Sequence, residues 1–106
     1  MGLVGADCNV SYDVQPEPKC ISDCNRKAGQ SMWRDWTDDP SSPNFIKSMG
    51  FMCERGTPNY MTFMTKGGEC MMKCSKADQD TFTQTFGQIC NFYNDYTKNP
   101  DCKGGP

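Results

Sequence analysis

The chain has 106 residues, among them 8 cysteines and no histidine, and its formal net charge at pH 7 is −2. This length fits one domain, residues 1–106. The mixed, nearly balanced charge argues against a nucleic-acid-binding surface, and the sequence has no apolar run long enough to be a transmembrane segment. Without histidine, the Ser-His-Asp and Cys-His catalytic arrangements are excluded.

The cysteine content indicates an oxidising compartment. An even number of cysteines in so short a chain is typical of secreted domains held together by disulfides, here four. A zinc site would be expected to use CxxC spacing, often with histidine, and the chain has neither. We therefore expect a secreted, extracellular protein without a metal or other cofactor. Met1-Gly2 before Leu3 suggests an initiator added to a mature chain, which would explain why no signal peptide is present.

Residues 1–16 are rich in Gly, Asp, Asn, Ser and Pro and predict an irregular N-terminal arm that a disulfide through Cys8 holds in place. Val10, Tyr12 and Val14 alternate with polar residues, which would allow a short edge strand that is not stable alone. Asn9-Val10-Ser11 is a sequon, so Asn9 is a candidate glycosylation site.

The first helix is predicted to begin near Pro18, because proline suits the first helical turn. Gly29 would weaken the middle of this helix by about 1 kcal/mol relative to alanine. Asp38-Asp39-Pro40 should end it, since the residue before a proline leaves the helical region. Its apolar stripe, with steps of three and four, consists of Ile21, Cys24 or Asn25, Ala28, Met32 and Trp36.

Two further helices are predicted from start and stop signals. A serine cap followed by proline in Ser41-Ser42-Pro43 predicts the second start, and Gly56 is placed for a left-handed C-terminal residue. Thr57-Pro58 repeats the start signal, and Gly67-Gly68 should end the third helix. The second helix carries its apolar residues on one face: Phe45, Ile46, Met49, Met52 and Cys53.

After the two glycines we predict a short helix from Glu69 to about Ser75, and then a final amphipathic helix that starts between Ser75 and Asp78. Asn99-Pro100 should close this last helix. Its apolar face consists of Phe82, Phe86, Ile89, Cys90, Tyr93 and Tyr96. The predicted fold class is all-α: a small disulfide-rich bundle of about four helices with an irregular N-terminal arm.

The cysteines include two CxxxC motifs, Cys20 with Cys24 and Cys70 with Cys74. Residues four apart lie on one face of a helix, so each motif is better placed to bond to a second helix than to itself. Antiparallel helices would give Cys20–Cys74 and Cys24–Cys70, and parallel helices would exchange the partners. The other two disulfides, whose pairing stays open, would use Cys8, Cys53, Cys90 and Cys102.

At the ten residues of these motifs the chain resembles the small mitochondrial import chaperones, which carry twin CxxxC motifs on a helical hairpin. The resemblance would imply a hairpin with both motifs close together. Here 45 residues separate Cys24 from Cys70, and the four additional cysteines have no counterpart in those proteins. We therefore do not assign the chain to that family.

Few residues point to chemistry. The carboxylates of Asp35, Asp38 and Asp39 could in principle support glycosidic acid–base catalysis, but a solvated helix end beside Pro40 explains them, and we expect no enzyme. Trp33 lies off the apolar stripe that Trp36 continues. Both tryptophans could belong to the core; alternatively, Trp33 with Arg34 forms a surface anchor for a protein partner, since Trp and Arg dominate binding hot spots.

In general character the chain resembles small secreted cysteine-rich proteins such as pathogen effectors, toxins and pheromones. The first hypothesis is therefore a secreted, non-enzymatic ligand or effector that binds a protein receptor or target. The second is an extracellular carrier of a small apolar molecule such as a lipid, and the third a structural extracellular module. A carrier would need the helices bearing Met49, Met64 and Phe86 to stand apart around a cavity of about 300 Å³ or more.

Overall fold

The computed structural model describes residues 8–103, which contain five α-helices and no β-strand. Residues 8–18 form an arm without regular secondary structure. Met1 and Gly2, interpreted above as an initiator added to a mature chain, lie outside the described residues. The predicted fold class, a small disulfide-rich all-α bundle with an irregular N-terminal arm, is confirmed. The helices are α1 (Lys19–Met32), α2 (Phe45–Cys53), α3 (Pro58–Met71), α4 (Lys76–Lys98) and the single turn α5 (Pro100–Lys103).

The apolar side chains form two clusters. The main core lies where α1, α2, α3 and α4 meet. The smaller cluster contains the cysteines of the CxxxC motifs together with the buried Ile21 and Met71. Of the methionines, Met61 and Met72 are exposed. The main core consists of Ala28, Trp36, Phe45, Met49, Phe51, Met52, Phe63, Ile89 and Tyr93.

Helix α1 is shorter than predicted, because the chain leaves it at Met32 and Trp33 adopts an extended conformation. Trp36 then folds back onto the helix, and a Cβ at position 29 would overlap its indole ring. The Trp36 Nε1 donates a hydrogen bond of 3.0 Å to the Ser48 carbonyl oxygen. Gly29 therefore provides a contact surface for a core tryptophan, which the prediction of a weak mid-helix position missed.

Helix α2 begins two residues later than the Ser-Pro signal predicts. The Ser42 Oγ accepts a hydrogen bond from the Asn44 N–H at 3.1 Å and so stabilises a turn that precedes the helix. After the helix, Gly56 has a φ of 87°, which confirms the predicted left-handed residue. Within the helix, Gly50 leaves room for the Tyr93 hydroxyl, which would lie 2.9 Å from a Cβ at that position.

Helix α3 begins as predicted, since the Thr57 Oγ1 accepts a hydrogen bond from the Tyr60 N–H at 3.2 Å. The predicted end at Gly67-Gly68 is wrong, because the helix continues to Met71. Gly67 is buried against the Asn25 side chain of α1, and this close packing offsets the low helix propensity of glycine. No separate CxxxC helix exists, and Cys74 lies in the turn after α3.

Helix α4 is the element that the sequence predicts best. Its N-cap Ser75 accepts a hydrogen bond from the Asp78 N–H at 3.1 Å, and the helix ends at Lys98, just before Asn99-Pro100. Both boundaries agree with the prediction.

The disulfides follow the antiparallel alternative, with Cys20 bonded to Cys74 and Cys24 to Cys70. They are adjacent, since the Sγ atoms of Cys20, Cys24 and Cys74 lie within 4.8 Å of one another. They connect α1 to the end of α3 and the following turn. The remaining disulfides are Cys53–Cys90, between α2 and α4, and Cys8–Cys102, between the arm and α5.

Candidate binding cleft

A cleft of about 320 Å³ lies beneath the N-terminal arm, between the arm and the helical core. The arm and the turn after α1 form its walls, and apolar side chains of α2 and α4 form its floor. Its lining includes Tyr12, Val14, Gln15, Pro16 and Glu17 from the arm, Ser22 and Asn25 from α1, Trp36, Asp38 and Pro40 from the following turn, Phe45, Met49 and Met52 from α2, and Ile89 from α4.

The arm is fixed over the core by its aromatic residue and by its disulfide. The Tyr12 ring packs edge-on against Phe45, with the ring centroids 4.9 Å apart, and against Phe92 at 5.0 Å. The Cys8–Cys102 disulfide attaches the beginning of the arm to α5. The wall that the arm contributes is therefore held in place without regular secondary structure.

Glu17, at the end of the arm, places a half-buried carboxylate in the cleft wall. Its Oε1 accepts a hydrogen bond from the Asn25 Nδ2, and its Oε2 accepts one from the Thr85 Oγ1, each 3.0 Å long. Burial raises the pKa of Glu17, the nearby Asp38 carboxylate raises it further, and these two hydrogen bonds oppose the shift. Glu17 thereby joins the arm to both α1 and α4.

A second carboxylate, Asp38, also lines the cleft, but it has a cationic partner. Its Oδ2 lies 3.4 Å from a guanidinium nitrogen of Arg26. Burial, Glu17 and Asp38 together raise the pKa of the Tyr12 hydroxyl to about 12. This end of the cleft is therefore electrically negative, and Glu17 forms no ion pair with the side chains that the structure describes.

Asn25 is a buried polar residue between the cleft and α3. Its amide nitrogen donates to Glu17, whereas its Oδ1 is buried and accepts no hydrogen bond from the residues that the structure describes. That oxygen lies 3.9 Å from the position of a Cβ at Gly67, so it faces α3. On the cleft side, Asn25 therefore makes its polar contact through the hydrogen bond to Glu17.

The residues predicted as a partner-binding anchor lie away from the cleft lining. Trp33 is partly exposed, its ring is tilted against Phe51 with centroids 6.2 Å apart, and the Lys47 Nζ lies 4.5 Å from its ring centroid. Arg34 next to it is exposed. Trp36 belongs to the core, with 1% of its surface exposed. Of the two tryptophans, only Trp33 is available at the surface.

The aspartates considered for catalysis have structural partners or lie in solvent. The Asp39 Oδ1 accepts hydrogen bonds from the backbone N–H and the hydroxyl of Ser41, at 3.0 and 2.8 Å. Asp38 pairs with Arg26, and Asp35 is exposed. The glycosylation candidate Asn9 is exposed on the arm.

The sequence predicts only part of the cleft. Met49 lines it, but Met64 and Phe86, which a carrier was expected to place at its cavity, are not among the lining residues. The cavity forms beneath the arm and does not require the helices to stand apart. Tyr12 and Glu17 were not predicted as site residues, because a short alternation in an otherwise irregular arm does not show which helices the arm covers.

Within residues 8–103, none of the helices combines the length and the apolar character of a membrane span. No protein-family model, curated protein or solved structure matches this chain.

Proposed function

We propose that this protein is a secreted, non-enzymatic carrier that holds a small amphipathic molecule in the cleft beneath its N-terminal arm. The observation that carries the proposal is the cleft itself. Its volume of about 320 Å³ falls within the range of about 300–1,000 Å³ that is typical of small-molecule sites. Phe45, Met49 and Ile89 give it an apolar floor, and Glu17 adds a polar group at one end, as in many ligand sites.

The cross-links favour binding in this cleft. The arm is attached through Cys8–Cys102 and through the hydrogen bonds of Glu17, so the wall of the cleft exists before a ligand arrives. A preformed site loses little conformational entropy on binding, which increases affinity. Four disulfides in a chain of this size also support an extracellular location.

The proposal can be tested by filling the cleft with a side chain. Ser22 on α1 lines the cleft, whereas Ser31 on the same helix does not, and both hydroxyls donate to the carbonyl oxygen three residues earlier. The probe is N-phenyl-1-naphthylamine, an uncharged dye whose emission rises in apolar surroundings. The natural protein and Ser31→Trp should bind it with one-to-one stoichiometry, and Ser22→Trp should bind at least about tenfold more weakly.

Two results would contradict the carrier function. One is the absence of saturable dye binding to the natural protein at micromolar concentrations. The other is equal dye affinity of the two tryptophan variants, which would place the dye outside the cleft. Circular dichroism of both variants establishes that each is folded before its affinity is compared.

A second candidate function, binding of a protein receptor or target, is favoured by the surface around Trp33. This tryptophan is partly exposed, and its ring packs against Phe51 and lies beside the Lys47 ammonium group. Large aromatic side chains held in this way are frequent binding hot spots. Arg34 beside it would add a charged contact.

This candidate predicts that Trp33→Ala weakens saturable binding of the labelled protein to its protein receptor or target by about 2 kcal/mol or more. The control is Met72→Ala, which removes another apolar side chain that is 77% exposed. Equal binding of the two variants would refute the Trp33 surface as an anchor. Because neither residue lines the cleft, the result is independent of the dye experiment.

A further inference from the structure

Resting on the proposed carrier function, we infer that the ligand is a cationic amphipath, an amine with an apolar body, and that Glu17 is the counter-charge for its ammonium group. The amine would lie at the arm end of the cleft. The apolar body would lie on the floor formed by Phe45, Met49 and Ile89.

The hydrogen bonds of Glu17 leave its charge uncompensated. Both donors, the Asn25 amide and the Thr85 hydroxyl, are neutral. Among the side chains that the structure describes, no lysine or arginine forms an ion pair with Glu17. A half-buried carboxylate without a counter-ion is electrostatically unfavourable, and a ligand cation beside it would supply the missing charge.

The carboxylate can still accept hydrogen bonds. Each of its oxygens accepts one hydrogen bond from the protein, and an ionised carboxylate offers about four acceptor positions. An ammonium group is a donor with three N–H bonds, and charge-assisted bonds of this kind are stronger than neutral ones. The aromatic ring of Tyr12 lines the same end of the cleft and can contribute a cation–π contact.

Other ligand classes fit this end of the cleft less well. A fatty acid or a phosphate would bring a negative charge towards Glu17, and like charges repel. A neutral lipid could occupy the floor, but it would leave Glu17 without a counter-charge. Asp38 does not replace Glu17 as the anchor, because Arg26 already pairs with it.

The inference is tested with three probes that share one chain: octylamine, octanol and octanoate, each competing with N-phenyl-1-naphthylamine at pH 7.5. Octylamine should displace the dye at a concentration at least about tenfold lower than octanol, the discrimination expected for a hydrogen bond to a charged group. Octanoate should be the weakest competitor. Glu17→Gln should remove most of the octylamine preference, and Glu69→Gln, an exposed position outside the cleft, should retain it.

A measurement on the natural protein does not depend on any variant. Glu17 is faced by Tyr12 on the arm and by Asp38 in the turn after α1, with Arg26 of α1 paired to Asp38. Octylamine stays protonated between pH 7.5 and 4, so its preference over octanol should fall as the Glu17 carboxylate becomes protonated. Octanol should show no comparable loss.

The outcomes separate the two proposals. If the dye binds in the cleft but octanol competes as well as octylamine, the carrier function stands and the cationic ligand is refuted. The cationic ligand is also refuted if octanoate displaces the dye at a lower concentration than octylamine does, or if the octylamine preference survives Glu17→Gln. If the dye does not bind the natural protein at all, the carrier function fails, and the inference fails with it.

Discussion

Gly29 and Trp36 illustrate how one residue pair determines where a helix ends. Sequence reasoning treats Gly29 as a weak position in a helix that continues to Trp36. In the structure the helix ends at Met32, and the Trp36 indole occupies the space next to Gly29 that a side chain would fill. The prediction failed because burying the Trp36 ring in the core favours a chain that turns back onto α1 after Met32, and the local apolar stripe does not show this tertiary contact.

Substitution of this glycine should therefore be destabilising, contrary to helix propensity. We expect Gly29→Ala to lower the free energy of unfolding by about 1–3 kcal/mol, the usual cost of inserting a group into a packed core. Gly68→Ala is the matched control, because Gly68 is also helical and, among the described residues, no side chain or backbone beyond its own helical turn lies within 4 Å of the added Cβ. It should gain roughly 0.5–1 kcal/mol. Urea unfolding of both variants is the measurement, and a more stable Gly29→Ala would contradict the packing.

Glu17 predicts a specific pH dependence of stability. Burial raises its pKa in the folded state above the ordinary value of 4.5, so the folded protein binds this proton more tightly than the unfolded chain does. Protonation therefore favours folding, and the contribution of Glu17 to stability should increase as the pH falls from neutral towards 4.5. Glutamine does not titrate and lacks this increase.

The measurement is the difference in melting temperature between the natural protein and Glu17→Gln from pH 7.5 to 4.5. As the pH falls, the melting temperature of the natural protein should rise relative to that of Glu17→Gln. The variant Glu69→Gln gives the corresponding baseline for an exposed site. A difference that is constant, or that shifts the opposite way, would show that the Glu17 carboxylate is not desolvated.

Among the helices, beginnings were predicted more reliably than ends. Thr57 and Ser75 cap their helices as their sequence signals indicate, because an N-cap is a local hydrogen bond that neighbouring residues specify. The end of α3 at Met71 depends instead on packing of Gly67 against α1. Such packing between distant segments is not visible in a local pattern, which is why the predicted CxxxC helix was wrong although its disulfide partners were among the predicted alternatives.

One of the two adjacent disulfides, while its neighbour is intact, should contribute less to the free energy of unfolding than an isolated disulfide does. While Cys24–Cys70 is intact, Cys20–Cys74 closes a loop of only the ten residues of the two motifs. By the chain-entropy relation, removing it costs about 2.7 kcal/mol, against about 3.8 kcal/mol for Cys53–Cys90, whose cysteines are 37 residues apart. Paired serine variants unfolded in guanidinium would measure both.

We expect the variant that lacks the Cys53–Cys90 disulfide to unfold at a lower guanidinium concentration than the variant that lacks Cys20–Cys74. Mapping of unreduced peptides should first establish the four pairs in the natural protein. Bonds within each motif, Cys20 to Cys24 and Cys70 to Cys74, would contradict the cross-link between α1 and α3.

For the molecule as a whole, the sequence predicted how the chain is held together and did not predict where its cavity lies. Eight cysteines and the helical periodicities were sufficient for a disulfide-linked helical bundle. The cleft depends on the irregular arm, whose position is set by contacts of Tyr12 and Glu17 with residues far along the chain, such as Phe92 and Thr85. No local pattern encodes such contacts.

The most direct test of the cleft as the binding site uses the two tryptophans as reporters. Trp36 lines the cleft and Trp33 does not, and each indole N–H gives its own signal in a ¹⁵N–¹H correlation spectrum. On titration with octylamine, the Trp36 signal should shift and saturate together with the backbone signals of Tyr12 and Glu17, while the Trp33 signal stays in place. A shift confined to Trp33, or no saturable shift at all, would contradict the proposed site.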